Sequence, residues 1–277
     1  MSDVRDMIFQ EIENKCFRAH LITEHDGYLS GVKEAYEQAD EIGIQIKMYF
    51  EEGSKIMKGE VIGEIIGTPK KIAISEEKII GTIAKFSGIA TAASKAVEKS
   101  EGKIRIVSGS WKKMPHSMKD PVRKAILSGG ASFRISNKPM VYFDKNYIKM
   151  LGSISAALES VKEDRSLVKV IQIKGKYNSI ELETEEAIKC GCDILMVDTG
   201  VIEDLEICLN KVYELGVRKQ IEIAFASGIK IEQIPELIKL DIDIICVGKE
   251  IVDATLPDIR LDVDCEINQK ERLSQWG

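Results

Sequence analysis

The stretch DILMVDTGVIEDLEICLNKVYELGVRKQIEIAF, residues 193–225, places an apolar strand, a helix and a second apolar strand in succession. The same alternation involves four further predicted strands, IRIV (104–107), ASFRIS (131–136), VKVIQI (168–173) and DIDIICV (241–247). Apolar strands that alternate with helices indicate a parallel sheet covered by helices. Six such units favour a closed or nearly closed α/β barrel, with a doubly wound sheet as the alternative. No GxGxxG follows the first strand, which argues against dinucleotide binding.

The chain before residue 104 has a different pattern. IQIKMYF (44–50) alternates between apolar and polar residues, and VIGEII (61–66) does so more loosely, which predicts two strands. Apolar residues at helical spacing predict one long helix over 76–99. Ser87 and Gly88 interrupt this pattern, and we expect them to mark a close approach of the helix to a neighbouring element.

Composition excludes several classes of protein. With 39 Lys and Arg against 45 Asp and Glu, the net charge of −6 argues against a broad surface for nucleic acid or anionic membrane. No apolar run approaches the ~18 residues that a transmembrane helix needs, and the charged N-terminus does not resemble a signal peptide. The six cysteines form no CxxC pair and no cluster with histidine, so we predict a reduced, cytoplasmic protein.

Candidate functional residues follow the predicted barrel strands, because barrel enzymes place their chemistry at the C-terminal ends of strands. Ser227 and Gly228 follow the fifth strand, and Gly248 and Lys249 follow the sixth. Glycine turns before helices expose backbone N–H groups, so this pair of turns predicts a phosphate site. Plain turns are the alternative.

Three cations and one acid complete this set. Lys112 and Lys113 with Arg134 predict a local pocket for a second anion, although a solvated loop explains Lys113 better. Asp198 ends an apolar strand. It either caps the next helix, or holds Mg²⁺ or faces a developing positive charge.

These segments resemble the quinolinate phosphoribosyltransferases, also called nicotinate-nucleotide pyrophosphorylases (carboxylating). The resemblance covers about residues 20–265 and is carried by EEKIIGTIAKFSGIATAASKAV (76–97), a lysine loop, a GG…R segment, MVDT, ASGI, VG and IRLDV. SGIAT is its most specific piece. The KKMP loop and the GGA segment are also similar to the nicotinate phosphoribosyltransferases.

The resemblance implies an N-terminal α/β sandwich domain over 1–103, an incomplete (β/α) barrel over 104–265 and a polar tail over 266–277. It also implies a homodimer in which the partner's N-terminal domain caps the active site. Phosphoribosyl pyrophosphate and Mg²⁺ are expected at the barrel mouth, where the nitrogen of a pyridine acid attacks the ribose as pyrophosphate leaves. A cation-like sugar requires carboxylates near the ribose and cations on the pyrophosphate.

The resemblance also assigns roles. It makes Lys112 and Asp198 catalytic, with Asp198 as the metal ligand, and it gives phosphate binding to the two glycine turns. The substrate-binding residues expected on this basis are Trp111, Lys113, Phe133, Arg134, Gln172 and Lys174.

The sequence departs from the family where the two quinolinate carboxylates bind. The family has arginine at positions 77 and 111, histidine at 133 and lysine at 144, whereas this chain has Glu77, Trp111, Phe133 and Asp144. The glutamate expected at the end of the third strand is replaced by Gln172 or Lys174. Three fixed cations are therefore lost, and one charge pair at ~4 Å is worth about 4 kcal/mol at an effective dielectric constant of about 20.

We therefore predict an enzyme, a phosphoribosyltransferase whose acceptor is a heterocyclic acid other than quinolinate. One alternative is a true quinolinate phosphoribosyltransferase, in which Lys113, Arg123, Lys138 or Lys145 replaces the lost cations. Another is a non-catalytic ligand-binding paralogue. A third is a biotinyl or lipoyl carrier, because residues 51–65 resemble a carrier hairpin, with its tip at GTPKK (67–71).

Overall fold

The computed structural model describes residues 3–267, so the predicted polar tail lies, after its first two residues, outside the described part. The strands are β1 (Cys16–Thr23), β2 (Gly27–Tyr28), β3 (Gln45–Met48), β4 (Lys55–Ile56), β5 (Val61–Gly67), β6 (Arg105–Val107), β7 (Met140–Phe143), β8 (Val168–Ile173), β9 (Ile194–Val197), β10 (Glu222–Phe225), β11 (Ile244–Cys246) and β12 (Ile259–Ile267). The helices are α1 (Val4–Ile8), α2 (Val32–Ile42), α3 (Pro69–Lys99), α4 (Lys119–Ser128), α5 (Lys145–Leu151), α6 (Ile154–Glu159), α7 (Ile180–Lys189), α8 (Ile202–Glu214), α9 (Ile234–Leu237) and α10 (Lys249–Val252). Within residues 3–267, no helix combines the length and the apolarity needed to cross a bilayer.

The described chain packs as two compact units. Unit 1 contains residues 3–94, Met114–Gly130 and 253–267, and unit 2 contains Lys95–Lys113 and Ala131–Val252. The domain limits predicted at 104 and 265 stay predictions, because two units of packing do not have to coincide with two domains.

Unit 1 is built on a four-stranded antiparallel sheet in the order β12-β1-β5-β3. Strand β1 lies at its centre and pairs with both β12 and β5. Leu21 and Ile65 from this sheet belong to the same buried cluster as Ile79 and Ile83 from α3. The apolar face of the long helix is therefore buried as its spacing predicts, and the predicted α/β character of the N-terminal part is confirmed.

Helix α3 begins at Pro69, seven residues before the predicted start at 76, and ends at the predicted Lys99. Proline suits the first position of a helix, because its missing N–H has no partner to lose there. Lys70 forms an ion pair with Asp6, and Lys71 donates to the carbonyl of Gly43, both from the first turn of α3. The carrier interpretation is therefore wrong, because Lys70 and Lys71 lie in a helix and not at a hairpin tip.

The helix runs without a break through Ser87 and Gly88. A Cβ atom added at Gly88 would lie 2.6 Å from the carbonyl oxygen of Thr255, so no larger residue fits without movement. Ser87 donates to, and accepts from, the backbone of Ser30. The close approach predicted for these two small residues is confirmed.

Unit 2 is a curled sheet of six parallel strands in the order β6-β11-β10-β9-β8-β7. In the described chain, the edge strands β6 and β7 do not pair with each other, so the sheet forms a half-barrel and not a closed barrel. Val170, Ile194, Ala224 and Ile244 form the centre of one of its buried clusters. The predicted incomplete barrel is confirmed, and β8 matches the predicted strand at both ends.

One predicted strand is wrong. ASFRIS (131–136) makes a single bridge, between Val107 and Ser132, and then turns. The Ser132 hydroxyl accepts from the N–H of Arg134 at 3.2 Å and donates to its carbonyl at 2.7 Å. Such local bonds give the backbone an alternative to a strand ladder. The sixth strand is β7, which the sequence analysis missed and which pairs with β8.

Candidate active site

The candidate residues of unit 2 lie along one edge of the half-barrel. Its six strands are parallel, so their C-terminal ends meet at the same edge, where barrel enzymes place their sites. The segments that leave this edge are Ser108–Lys113 after β6, Asp144 after β7, Lys174 after β8, Asp198 after β9, Ser227 and Gly228 after β10, and Gly248 and Lys249 after β11.

Asp198 is the first residue after β9, and its N–H donates to the carbonyl of Ile173 in the neighbouring strand at 3.1 Å. Its Oδ2 accepts from Gln172 Nε2 and lies 3.3 Å from Lys174 Nζ. Lys174 Nζ also donates to the Asp198 carbonyl at 2.7 Å. The carboxylate, whose side chain is 25% exposed, is thus fixed in orientation while still open to solvent.

Asp198 does not cap the following helix. The N-cap position of α8 is Val201, where no side chain accepts from the helix. The capping interpretation of Asp198 is therefore wrong.

Lys112 lies close to two residues that the sequence analysis missed. Its Nζ is 5.6 Å from the centre of the Tyr142 ring, a cation–π distance. Burial raises the pKa of the Tyr142 phenol above its ordinary value, and the charge of Asp198 raises it further. Burial raises the pKa of the Cys246 thiol to about 12, with Asp198 adding to the shift and Lys112 opposing it. Lys112 and Asp198 therefore both lie close enough to act on these two partly buried side chains.

The sequence signal that could have identified Tyr142 and Cys246 is the alternation of side chains between the two faces of a half-barrel strand. Both residues pack against the buried cluster of Val170 and Ile194. The alternation predicts the position of Tyr142 only if β7 is first recognised as a strand. It predicts that of Cys246 only if the face of β11 on which this side chain lies is known.

Trp111 and Phe133 form an aromatic pair next to the cations. Trp111 Nε1 donates to the carbonyl of Phe133 at 2.8 Å, and the two rings meet edge to face with centroids 6.1 Å apart and planes at 82°. Lys113, two residues after Trp111, and Arg134, directly after Phe133, are exposed. Their side chains have no hydrogen-bond or ion-pair partner within residues 3–267. The structure thus places two available positive charges beside an apolar surface.

The two glycine turns approach other strand-end segments closely. Ser227 and Gly228 both have left-handed backbones, with φ of 85° and 74°. A Cβ atom at Gly200 would lie 2.1 Å from the Ser227 carbonyl oxygen, and one at Gly248 would lie 2.4 Å from Ser110 Oγ. Helices α9 and α10 have only four residues each. Any phosphate bound here would thus depend on backbone N–H groups in turns more than on a helix dipole.

The two acids that stand where the resemblance implies cations, Glu77 and Asp144, have partners of their own. Glu77 lies on α3 in unit 1 and forms an ion pair with Arg5. Asp144 caps α5, where its Oδ1 accepts from the N–H groups of Asn146 at 2.8 Å and Tyr147 at 3.0 Å. The acid at 144 thus stabilises a helix start and has not become a free charge in the site.

Among residues 3–267, no three His, Cys, Asp or Glu side chains come close enough together to hold a metal ion. Asp198 offers one carboxylate, and its Oδ2 is already shared with Lys174. In enzymes Mg²⁺ is usually held by one or two carboxylates together with substrate phosphates. The donor set suits a magnesium ion that arrives with pyrophosphate, and does not suit one held by side chains alone.

Comparison with known proteins identifies first the class and then the family. The family models and the curated relatives place the chain among the phosphoribosyltransferases of pyridine nucleotide biosynthesis, which are enzymes. The model for the quinolinate phosphoribosyl transferase C-terminal domain matches residues 89–262, and the model for the N-terminal domain matches 6–87. The chain belongs to the quinolinate phosphoribosyltransferase family, whose substrates are phosphoribosyl pyrophosphate and a pyridine acid.

The relatives are distant in sequence. A probable nicotinate-nucleotide pyrophosphorylase (carboxylating) of Archaeoglobus fulgidus is 25% identical over 86% of this chain and 90% of its own. The crystal structure of nicotinate-nucleotide pyrophosphorylase from Pyrococcus furiosus has a TM-score of 0.79 at 20% identity, covering 96% of this chain and 76% of that one. Human nicotinic acid phosphoribosyltransferase has a TM-score of 0.67 at 9% identity, covering 96% and 74%. The two structures support the fold alone.

Proposed function

We propose that this protein joins a heterocyclic acid with a single carboxylate to phosphoribosyl pyrophosphate, and that its acceptor pocket no longer suits quinolinate. The observation that carries the proposal is the Trp111–Phe133 pair, at two positions where the resemblance implies cations. An aromatic surface favours a planar ring. Arg134, exposed next to Phe133, is then the cation for one carboxylate.

In the proposed reaction, a ring nitrogen of the acceptor forms a bond to the anomeric carbon of ribose. The bond from that carbon to pyrophosphate breaks, and its electron pair leaves with the pyrophosphate. Positive charge develops on the ribose, and the oriented Asp198 carboxylate is the group proposed to face it. Lys112 is proposed to bind the leaving pyrophosphate, and the backbone N–H groups of the turns at 227–228 and 248–249 the phosphate groups.

Magnesium is part of this proposal only as a companion of the substrate. Bound with pyrophosphate, it would supply positive charge that offsets the charge of the leaving group. Asp198 is the residue that would hold it, through the carboxylate oxygen that Lys174 and Gln172 do not occupy.

A true quinolinate phosphoribosyltransferase is the second candidate, and the exposed side chain of Lys113 favours it. Together with Arg134, it could match two carboxylates. Arg123 is a poor substitute, because it already pairs with Asp120 at 2.8 Å. Two flexible, solvated cations replace fixed ones less effectively, since solvent screens their charge.

The test is a pyrophosphate-release assay with phosphoribosyl pyrophosphate, Mg²⁺ and three acceptors: quinolinate, nicotinate and nicotinamide. We expect kcat/KM to be highest for the monoacid. The highest kcat/KM with quinolinate, accompanied by CO₂ release, would establish the second candidate instead. Binding of phosphoribosyl pyrophosphate without turnover of any acceptor would favour a non-catalytic paralogue.

A further inference from the structure

A buried carboxylate lies directly behind the loop that carries Lys174. Glu183 on α7 is only 2% exposed. Its Oε2 accepts from the N–H groups of Lys174 and Gly175, both at 2.8 Å, and its Oε1 accepts from those of Lys176 and Tyr177, both at 2.9 Å. A buried charge is costly unless it is fully hydrogen-bonded. The N–H of Asn178 adds a longer bond to Oε1 at 3.4 Å, so five backbone donors on one carboxylate meet that requirement and fix five consecutive residues.

The loop is closed by further contacts. Gly175 has a left-handed backbone with φ of 62°, which lets the chain turn back over the carboxylate. The Tyr177 hydroxyl donates to the carbonyl of Lys145, at the start of α5. The N–H of Lys145 in turn donates to Gln172 Oε1 at 2.7 Å. The loop is thus connected to the end of β8 at both of its ends. Lys174 follows this strand directly, and Tyr177 is linked to Gln172 through the backbone of Lys145.

The loop delivers one side chain to the candidate active site. Lys174 is the first residue held by Glu183, and its Nζ reaches both the carbonyl and the Oδ2 of Asp198. The Lys174 side chain is 36% exposed, so burial alone does not hold it in this position. The backbone of Lys174 is instead held in place by the hydrogen bond from its N–H group to Glu183.

We propose that Glu183 is a positioning residue, which fixes the loop so that Lys174 holds the Asp198 carboxylate toward the reacting sugar. The catalytic part of this inference rests on the proposed function. The structural part, that Glu183 governs the engagement of Lys174 with Asp198, is independent of any substrate. Glu183 itself lies behind the loop and is assigned no contact with substrate.

The structural part is tested by acetylating the native protein with N-hydroxysuccinimide acetate and measuring each lysine by mass spectrometry. Wild-type Lys174 should react more slowly than the exposed Lys113 of the same chain. In Glu183→Gln, the rate at Lys174 relative to Lys113 should rise at least about tenfold, because a hydrogen bond to a charged group is worth more than a factor of ten. Glu185→Gln, on the same helix but partly exposed, is the matched control and should leave the ratio unchanged. An unchanged ratio in Glu183→Gln would overturn the inference.

The catalytic part is tested by steady-state kinetics with the best acceptor. Glu183→Gln should lower kcat at least about tenfold and change the KM for phosphoribosyl pyrophosphate little, since orientation of Asp198 matters most in the transition state. Lys174→Met, at a partly exposed site and so available if Glu183→Gln misfolds, should lower kcat similarly. The double variant should have a kcat no lower than that of either single variant, because both substitutions act through the same contact.

Faster acetylation of Lys174 in Glu183→Gln with an unchanged kcat would show that Glu183 has a merely structural role. A wild type without activity would refute the proposed function, and the acetylation ratio would then decide the inference.

Discussion

Lys112 and Lys113 are neighbours in sequence with different surroundings. Both side chains are exposed, but only that of Lys112 lies over an aromatic ring of the described residues, the ring of Tyr142. We expect Lys112→Ala to weaken phosphoribosyl pyrophosphate binding at least about tenfold, because a charge-assisted bond to phosphate is worth about 1.5–3 kcal/mol. Lys113→Ala should change it less than about twofold, as is usual for solvated charges. Isothermal titration calorimetry with Mg²⁺ present measures both, and equal losses would contradict the assignment of Lys112.

The acceptor preference can be tested by restoring the family's cations. The double variant Trp111→Arg/Phe133→His removes the aromatic pair. It should raise quinolinate affinity at least about tenfold at pH 6, since each restored pair at ~4 Å gains up to about 4 kcal/mol before screening. Competition binding against nicotinate provides the readout. Trp111→Leu/Phe133→Leu removes the rings without adding charge and is the control. If both double variants bind quinolinate equally well, charge does not determine the acceptor.

At the residue scale, the sequence contains enough to find groups that follow strands. Lys112, Asp198 and Ser227 could be proposed because apolar runs end just before them. Glu183 could not, because its role depends on five backbone N–H groups from the preceding loop, and nothing in the sequence of α7, IELETEEAIK, distinguishes it from the other glutamates of that helix. Backbone donors leave no sequence pattern.

At the scale of elements, α3 offers a matched pair of glycines. A Cβ atom at Gly88 would meet the Thr255 carbonyl oxygen at 2.6 Å, whereas one at Gly81 would meet nothing within 4 Å. Gly88→Ala should lower the free energy of unfolding by about 1–3 kcal/mol through overpacking. Gly81→Ala should raise it by about 0.5–1 kcal/mol, because alanine is the better helix former. Urea unfolding followed by circular dichroism measures both. A stabilised Gly88→Ala would contradict the packing described for this helix.

The misassigned elements are those in which local bonds overrode the apolar pattern. ASFRIS has the composition of a strand, but the Ser132 hydroxyl bonds to the backbone of Arg134 and ends the pairing. Strand β7 has four residues and only one of them is fully buried, so its pattern is weak. Helix α3 starts at Pro69 and not at the predicted residue 76, because proline suits the first position of a helix as well as a turn.

At the scale of the whole molecule, alternating strands and helices are enough to predict a parallel sheet. They do not say whether the sheet closes, since closure depends on pairing between edge strands that are distant in sequence.

The homodimer and the cytoplasmic location stay predictions. Light scattering should give twice the mass of one chain if the dimer forms, and the mass of a single chain would refute it.

The stability of the folded chain should depend on alkaline pH through its buried thiols. Burial raises the pKa of Cys208 from 9.0 to about 11. The folded protein therefore keeps this proton between pH 9 and about 11, where the unfolded chain loses it, so its contribution to stability is fully present below pH 9 and is lost as pH rises through that window. The slope contributed is at most about 1.4 kcal/mol per pH unit. Cys208→Ala removes the thiol, so its free energy of unfolding should fall less steeply than that of the wild type above pH 9.

Urea unfolding at a series of pH values from neutral to alkaline measures both slopes. Below pH 9 the two proteins should differ by a constant amount, because Cys208 is protonated in the folded and the unfolded chain alike, and this range is the internal control. The constant offset reports the cavity left by the sulfur atom. Other groups that titrate in the alkaline range act on both proteins equally, with the exception of Cys192, whose pKa is raised by burial and further by the charge of Cys208. A divergence of the slopes therefore reports Cys208 together with its effect on Cys192. Parallel curves throughout would mean that this thiol reaches solvent in the folded chain, contrary to its complete burial on the inner face of α8.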